Sequence, residues 1–581
     1  MKPPGASPRR YVETLRHLHA EQVRHQLGRR VRSLLPAPRP VRPPRPLPVS
    51  SGWGPLAVRW RPPVDARVLD GQFTWWNQVR RIDLSRPWEI PELGRSWNYQ
   101  VHYFDYLLPI ADQASDVAPA SSEGATRQLC GLVDRWIDVH PHGRGVAWEP
   151  YPTAIRIVNW LDLAHTLGER ADPQWRRRVL HSVYVQAAWL RRHLERHLLG
   201  THLLKDVKAL LLASTVFEDP RSRQWRAEAE ALLRREVRVQ IRADGGHIEP
   251  SIMYHCTALE DVLDLLGFDG AVTGGMRVEL EAAAGKMLRF ARGVEVPSGG
   301  FPLLGDAWVS GAPAPADLCE YAGRLNLDVP ASEAGLRFFE DAGIAVWRGS
   351  RSCLVADVGG IGPPHLSGHG HCDSLSFEWF VGGVALVVDS GTFTYEPGPL
   401  RHACRSTRAH NTLEIDGVEQ HEIWAQFRVA RRSDVRARRV GACAVEAELV
   451  PWHDKRLRVR RRFDFDTERI RIRDRVEGPG RHRVVSRLHL HPDCEASLEG
   501  GVLRLERGTA RAEIVVADAL GFELLRPDVS GSHHAQRAGA LRPNAVLQAT
   551  FEGELPFDAV LDLRSLAGRG TLRTTRRPEI D

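Results

Sequence analysis

The chain has 581 residues, 43% hydrophobic and 26% charged, which suits a folded protein of two or three domains. Its 79 Lys and Arg exceed its 72 Asp and Glu by a net charge of +7, which favours an anionic partner (nucleic acid, anionic lipid or acidic polysaccharide) without choosing among them. No apolar run reaches the roughly 18 residues of a transmembrane helix, and the eight cysteines form no C-x-x-C pair, which excludes zinc-finger and thioredoxin-like readings.

Residues 1–50 form a basic N-terminal segment. Tyr11, Leu15, Leu18, Val23, Leu27, Val31 and Leu34 recur at helical spacing among many arginines. Such a helix either touches a membrane surface or packs on the body through its apolar stripe, and packing is the expectation. The segment lacks an apolar h-region, so it does not read as a cleavable secretory signal. Residues 36–48, PAPRPVRPPRPLP, read as an extended proline-rich linker.

Residues 51–338 are expected to form a helical domain. WNYQVHYFDYL, residues 97–107, crowds aromatic rings, Tyr103 among them, beside a histidine. Trp148 precedes a helix that carries Arg156, Asn159 and Trp160. Aromatics interleaved with polar groups suit sugar rings, although core packing explains any single one. From 127 to 290, apolar residues recur at i, i+3, i+4 and i+7 in successive segments with short breaks. Antiparallel helix pairs without a strict repeat suggest a closed helical toroid or an irregular bundle.

Two breaks carry chemistry. At Gly200-Thr201-His202, Thr201 is the expected N-cap, which puts His202 in the first helical turn. In DGGHIEPSIMYH, residues 244–255, Glu249, Tyr254 and His255 lie between two helices. Both breaks fall at helix termini, where open clefts are lined.

Residues 339–581 change texture to period-two alternation, as in RLRVRRRFDFD and ERIRIRDRVEG. They predict an antiparallel β-sandwich with one face of each sheet buried. The arginines of 456–483 are expected on the solvent side of their strands. Within Gly368–Thr412, a Gly-His-Gly-His-Cys-Asp turn carries His369 and His371, an apolar strand ends on Asp389, and a later run delivers His410. Histidines and a carboxylate brought together by a hairpin make a metal or acid/base constellation.

Four segments together resemble the heparinase II/III and alginate-lyase-like family of polysaccharide lyases: WNYQVHYFDYL, THLLKDVKALLLASTVF, DGGHIEPSIMYH and GHGHCDSLSFEW with VDSGTFTY and RSTRAHNT. They span residues 97–412. The resemblance implies an α/α toroid followed by an antiparallel β-sandwich, and β-elimination on a uronate-containing acidic polysaccharide. It implies Tyr254 as general acid, with His202 and His369 on opposite sides of the cleft as base or carboxylate neutraliser. Thr201, Glu249, His255, Arg156, Trp148 and Tyr103 would bind substrate. His371, Asp389 and His410 would hold a structural zinc ion. It also implies a place in the cell envelope or periplasm, whereas the N-terminus fits the cytoplasm.

One position departs from the family pattern. Many of these lyases carry Asn immediately before the first-turn histidine, where its amide neutralises the substrate carboxylate. Here that residue is Thr201, and Lys205, Arg156 and His255 are the substitutes at hand. The departure leaves a second reading: a glycan-binding accessory of exopolysaccharide or capsule biosynthesis that keeps the fold without efficient elimination.

Overall fold

The computed structural model describes residues 7–35, 39–50, 60–63, 65–115, 119–517 and 521–566. The start of the proline-rich linker, residues 36–38, lies outside the described residues, as do 51–59.

The N-terminal segment forms two helices, Pro8–Leu15 and Ala20–Ser33, rather than one. Past a small hairpin, Gln72–Trp75 with Gln78–Arg81, the chain is helical from Arg95 to Arg324. The helices start where local chemistry favours it. Proline occupies the first turn of Pro150–Leu167, Pro173–His193, Pro220–Gln240 and Pro315–Arg324, where its missing N–H costs nothing. Asp172, Asp219 and Ser251 accept N-cap hydrogen bonds.

Gly200–Val216 is the most deeply packed helix of this incomplete toroid. It packs against Pro150–Leu167, Pro173–His193, Pro220–Gln240 and Ile252–Gly267, and is buried on nearly every side. Its neighbour Ile252–Gly267 is held by buried ion pairs: Lys205 Nζ lies 2.9 Å from Asp261, and Lys208 Nζ 2.7 Å from Asp264. Breaking such pairs strands a charge in a dry core, so they fix the two helices relative to each other. Lys205 is thereby committed and does not stand in for the missing Asn.

The β region begins at Gly335, and its strands pair antiparallel throughout. A five-stranded meander runs from Gly335–Phe339 to Val384–Val387. It is followed by an eight-stranded sheet and a four-stranded sheet that contains Leu413–Ile415 and Arg481–His489. The meander departs from the expected one-sided burial. Ile344, Val346 and Val355 join the core of the helical region, while Ala345, Trp347 and Leu354 join the core between the sheets. A sheet wedged between two apolar layers must be apolar on both faces.

The eight-stranded sheet behaves as expected, with strict alternation along Arg458–Phe465. Its outward arginines are matched by acids on neighbouring strands: Arg460 with Glu448 at 2.8 Å, Arg471 with Asp562 at 2.8 Å and Arg475 with Asp558 at 3.0 Å. Arg461 alone in this run points inward, fully buried. It pairs with Asp474 and donates to the carbonyls of Leu375 and Asn411 at 2.7 and 2.6 Å.

Replacing Arg461 with Ala leaves Asp474 buried and unpaired, and should cost about 3–5 kcal/mol. Arg460→Ala, which cuts only half-exposed pairs at the sheet surface, should cost about 0–1 kcal/mol. Denaturant unfolding of the two variants beside the parent checks the contrast.

Candidate active site

The helical wall is built around the start of Gly200–Val216. The chain turns into it with Leu199 and Gly200 both left-handed, at φ 64° and 57°. A Cβ on Gly200 would lie 2.2 Å from Glu249 Oε1, so only glycine lets that carboxylate reach the helix end. Glu249 Oε1 accepts from the Thr201 amide at 2.6 Å and from its hydroxyl at 2.9 Å. Glu249 is therefore the cap that the sequence reading had assigned to Thr201. An anionic cap at a helix N-terminus is favoured by the exposed amides and the helix dipole.

One residue further on, His202 places Nδ1 2.8 Å from Glu195 Oε2 and its ring 4.5 Å from that of Tyr151. Burial works against an imidazolium here, but the Glu195 charge and hydrogen bond outweigh it and raise His202 above the usual histidine range.

The opposite wall is organised by Asp306, which is fully buried. Its Oδ2 lies 2.9 Å from His369 Nδ1, and its Oδ1 2.9 Å from His371 Nε2. Arg401 grips both carboxylate oxygens, and the Thr392 hydroxyl donates to Oδ1 at 3.2 Å. Burial opposes the charge, yet the Arg401 guanidinium and the two imidazoles hold this carboxyl well below the usual carboxylate range. The backbone adds to the clamp: Asp306 N donates to His369 O at 2.9 Å, and Ser251 Oγ to Asp306 O at 2.6 Å.

Tyr254, in the first turn of Ile252–Gly267, stacks on His369 with ring centroids 3.8 Å apart and shares a 3.1 Å hydrogen bond with the Tyr395 hydroxyl. Burial pushes the Tyr254 phenol well above its ordinary value, so it carries its proton at neutral pH. Glu249 Oε2 lies 3.5 Å from His369 Nε2. Glu249 thus bridges the start of the His202 helix to His369, and the Tyr254 phenol stacks on that same imidazole where the helical region faces the β region.

Behind His369 lies a group suited to a metal. His371, Asp373 and His410 each offer one ligand atom, all within 4.8 Å of one another and all buried. His371 Nδ1 and His410 Nε2 have no hydrogen-bond partner, although both are buried. Buried imidazole nitrogens aimed at a common point fit a cation. Their other nitrogens are held by carboxylates, His371 by Asp306 and His410 by Asp389 at 2.7 Å. Such pairing sets the tautomer that a metal needs. The grouping differs from the sequence reading: Asp373 takes the position given to Asp389, and Asp389 orients His410.

Other expected site residues lie elsewhere. Arg156 is fully buried, with its guanidinium 3.9 Å from the Trp136 ring centre and its Nε donating to Gln186 at 2.9 Å. Trp148 is buried among His142, Trp189 and Trp136. His255 turns into the core, 4.6 Å from the Phe290 ring and 3.2 Å from Met287 O, where burial lowers it to about 3. These three serve packing and have no surface for a substrate. Thr201 is buried, with its hydroxyl spent on Glu249. Tyr103 is half-buried and edges onto Tyr151, 6.1 Å between centroids, beside His202. Sequence reasoning missed Glu195, Asp306, Asp373, Arg401 and Tyr395. The one local signal was Asp373, two residues after His371 in the turn already singled out.

Residues 76–321 match the family model Heparinase II/III N-terminus, and residues 331–573 match Heparinase II/III-like, C-terminal. Heparin-sulfate lyases of Pedobacter heparinus and Bacteroides stercoris are each 25% identical, over 275 and 242 residues. The matches cover 42% and 37% of this chain, and 40% and 36% of those proteins, well under half their length. Among solved structures, heparinase III superposes with a TM-score of 0.67 at 16% identity, over 85% of this chain and 80% of that one. The heparan sulfate lyase HepC from Pedobacter heparinus superposes at 0.57 and 18% identity, over 88% of this chain and 84% of that one. At these identities the likeness is one of fold.

Elemental analysis of the purified protein should find one divalent metal per chain. His371→Ala, His410→Ala and Asp373→Asn should remove it and lower the melting temperature. Asp389→Asn should weaken affinity by about 10–100-fold without abolishing binding. Full occupancy in Asp373→Asn with none in Asp389→Asn would reverse the assignment of the two carboxylates.

Proposed function

The chain belongs to the heparinase II/III-like family, and from that premise we propose that it cleaves a uronate-containing polysaccharide by β-elimination. The observation that carries the reading is the stacking of Tyr254 on His369 where the helical and β regions meet. It joins a protonated phenol to an imidazole whose far nitrogen is held by a carboxylate.

The chemistry sets three requirements. The proton to be removed sits beside a carboxylate and is very weakly acidic, so that carboxylate must be neutralised. A base must take the proton, and an acid must protonate the departing glycosidic oxygen. His202 suits the first role: Glu195 favours its charged form and leaves Nε2 to face the substrate carboxylate. Thr201 does not compete for it, because its hydroxyl is committed to Glu249. His369 suits the second role. Asp306 at Nδ1 orients the ring and stabilises the imidazolium formed when Nε2 accepts the proton. Tyr254 suits the third, its hydroxyl held by Tyr395 at 3.1 Å, and the proton that His369 has taken must return to the Tyr254 phenolate to close the cycle. Half-buried Tyr103 would offer an aromatic face to the sugar.

In this reading zinc is the metal held by His371, Asp373 and His410, and its charge would pin the turn that presents His369. The alternative, glycan binding without efficient elimination, draws support from Thr201 standing where the amide donor is usual and being tied to Glu249.

Incubation with a panel of acidic polysaccharides should raise absorbance near ~230 nm as the unsaturated uronate forms. His202→Ala, His369→Ala and Tyr254→Phe should each lower kcat by about 10²–10⁴. Measurable glycan binding with no absorbance rise on any substrate would favour the alternative, and reducing ends without the absorbance would indicate a hydrolase.

The pH profile tests the role of His202. Its pKa is raised, so its charge persists above the ordinary histidine range and is lost as pH rises through the raised value. A neutraliser must be charged, so kcat/KM should fall on that alkaline side. Glu195→Gln removes the raising charge and should shift the fall to lower pH. An unchanged alkaline limb in Glu195→Gln would remove His202 from this role.

A further inference from the structure

The two N-terminal helices dock on the body through their polar and aromatic faces. Arg10 pairs with Glu422 at 3.0 Å, and the Trp424 indole donates to Thr14 at 3.0 Å while its ring lies 4.8 Å from that of Tyr11. On the second helix, Gln22 donates to His365 O at 3.2 Å, Glu21 pairs with Arg235 at 3.1 Å, and the His19 ring stacks on His365. These contacts tie the pair to both the β region and the helical region.

The expectation that the apolar stripe would face the body holds only in part: Tyr11 packs on Trp424 and Leu18 and Val23 are half-buried, but Leu15, Leu27, Val31 and Leu34 face outward. Val12, Leu15, Leu27, Val31, Leu34 and Leu35 are 51–84% exposed. These six, among 17 exposed large apolar side chains of the described residues, fall within 24 consecutive positions on two successive helices and the residues that follow, a local concentration of outward apolar surface. Leu27, Val31 and Leu34 follow one another at helical spacing. Arg24, Arg29, Arg30 and Arg32 are exposed around them, as are Arg9 and Arg16 on the first helix. Between residues 8 and 35 the chain carries seven arginines and two glutamates, and one of those glutamates is turned toward Arg235.

We propose that this outward face binds an anionic phospholipid membrane surface. Charge complementarity selects that occupant. A second copy of the chain would bring the same arginines against one another, and nucleic acid or an acidic glycan would offer the leucines and valines nothing apolar. A bilayer interface supplies both an acyl region for the stripe and anionic headgroups for the arginines. The face already points away from the body, so binding needs no undocking of the helices. The inference stands apart from the proposed chemistry.

Co-sedimentation of the full chain with vesicles tests it. The protein should partition onto phosphatidylglycerol-containing vesicles, stay off pure phosphatidylcholine and be released by salt. Combined Leu27→Glu, Val31→Glu and Leu34→Glu should lower partitioning by roughly tenfold or more with an unchanged melting temperature, because all three side chains are exposed. Combined Arg24→Ser and Arg32→Ser, a milder change, should weaken binding to anionic vesicles only. Equal partitioning onto both vesicle types, or partitioning that the triple substitution leaves unchanged, overturns the proposal. So does a dimer in solution that the triple substitution dissolves without any vesicle binding, which would assign the face to a second copy.

Discussion

A carboxylate with no access to water must be met on every side, and Asp306 is met by two imidazoles, a guanidinium and a hydroxyl. Its segment lies between the last two helices of the helical region, while the partners of its carboxylate all come from the β region. The charge that Asp306 keeps in the interior is stable only while both regions are docked. The same interaction sets two tautomers at once. It turns His369 so that Nε2 faces the Glu249 side, 3.5 Å from that carboxylate, and turns His371 so that its buried Nδ1 has no hydrogen-bond partner.

The helical wall repeats that logic in a wetter setting. Glu195 fixes His202, and Glu249 closes the end of the same helix while reaching toward His369. Lys205 and Lys208, paired with Asp261 and Asp264 beneath, keep the His202 helix and the Tyr254 helix in register. His202 and Tyr254 thus sit at helix starts and His369 in a turn, and the two imidazoles each have a carboxylate behind them. A site assembled from separate elements needs such supports, because a small rotation of either helix would part the groups.

Much of this was legible in the sequence because it is periodic or local. Helical spacing from 127 to 290 and alternation after 335 separate the two regions, and helix-start signals single out His202 and Tyr254. What was not legible is long-range. Asp306 meets its partners 63, 65 and 95 residues further along the chain, and nothing beside it in sequence marks it. Arg156 read as a cation for substrate because sequence does not reveal the indole of Trp136 covering it. The N-terminal stripe read as a packing face because periodicity gives the stripe but not the side that docks. The two-sided burial of the meander is hidden in the sequence because its apolar runs are too short to separate one-sided from two-sided burial.

Asp306→Asn tests the coupling most directly, since it keeps the shape and removes the charge. The account predicts that this variant, folded by circular dichroism, binds a divalent metal about 10–100-fold more weakly than the parent and also loses the eliminase activity proposed for the parent. Parent-level metal affinity together with parent-level turnover in Asp306→Asn would contradict it.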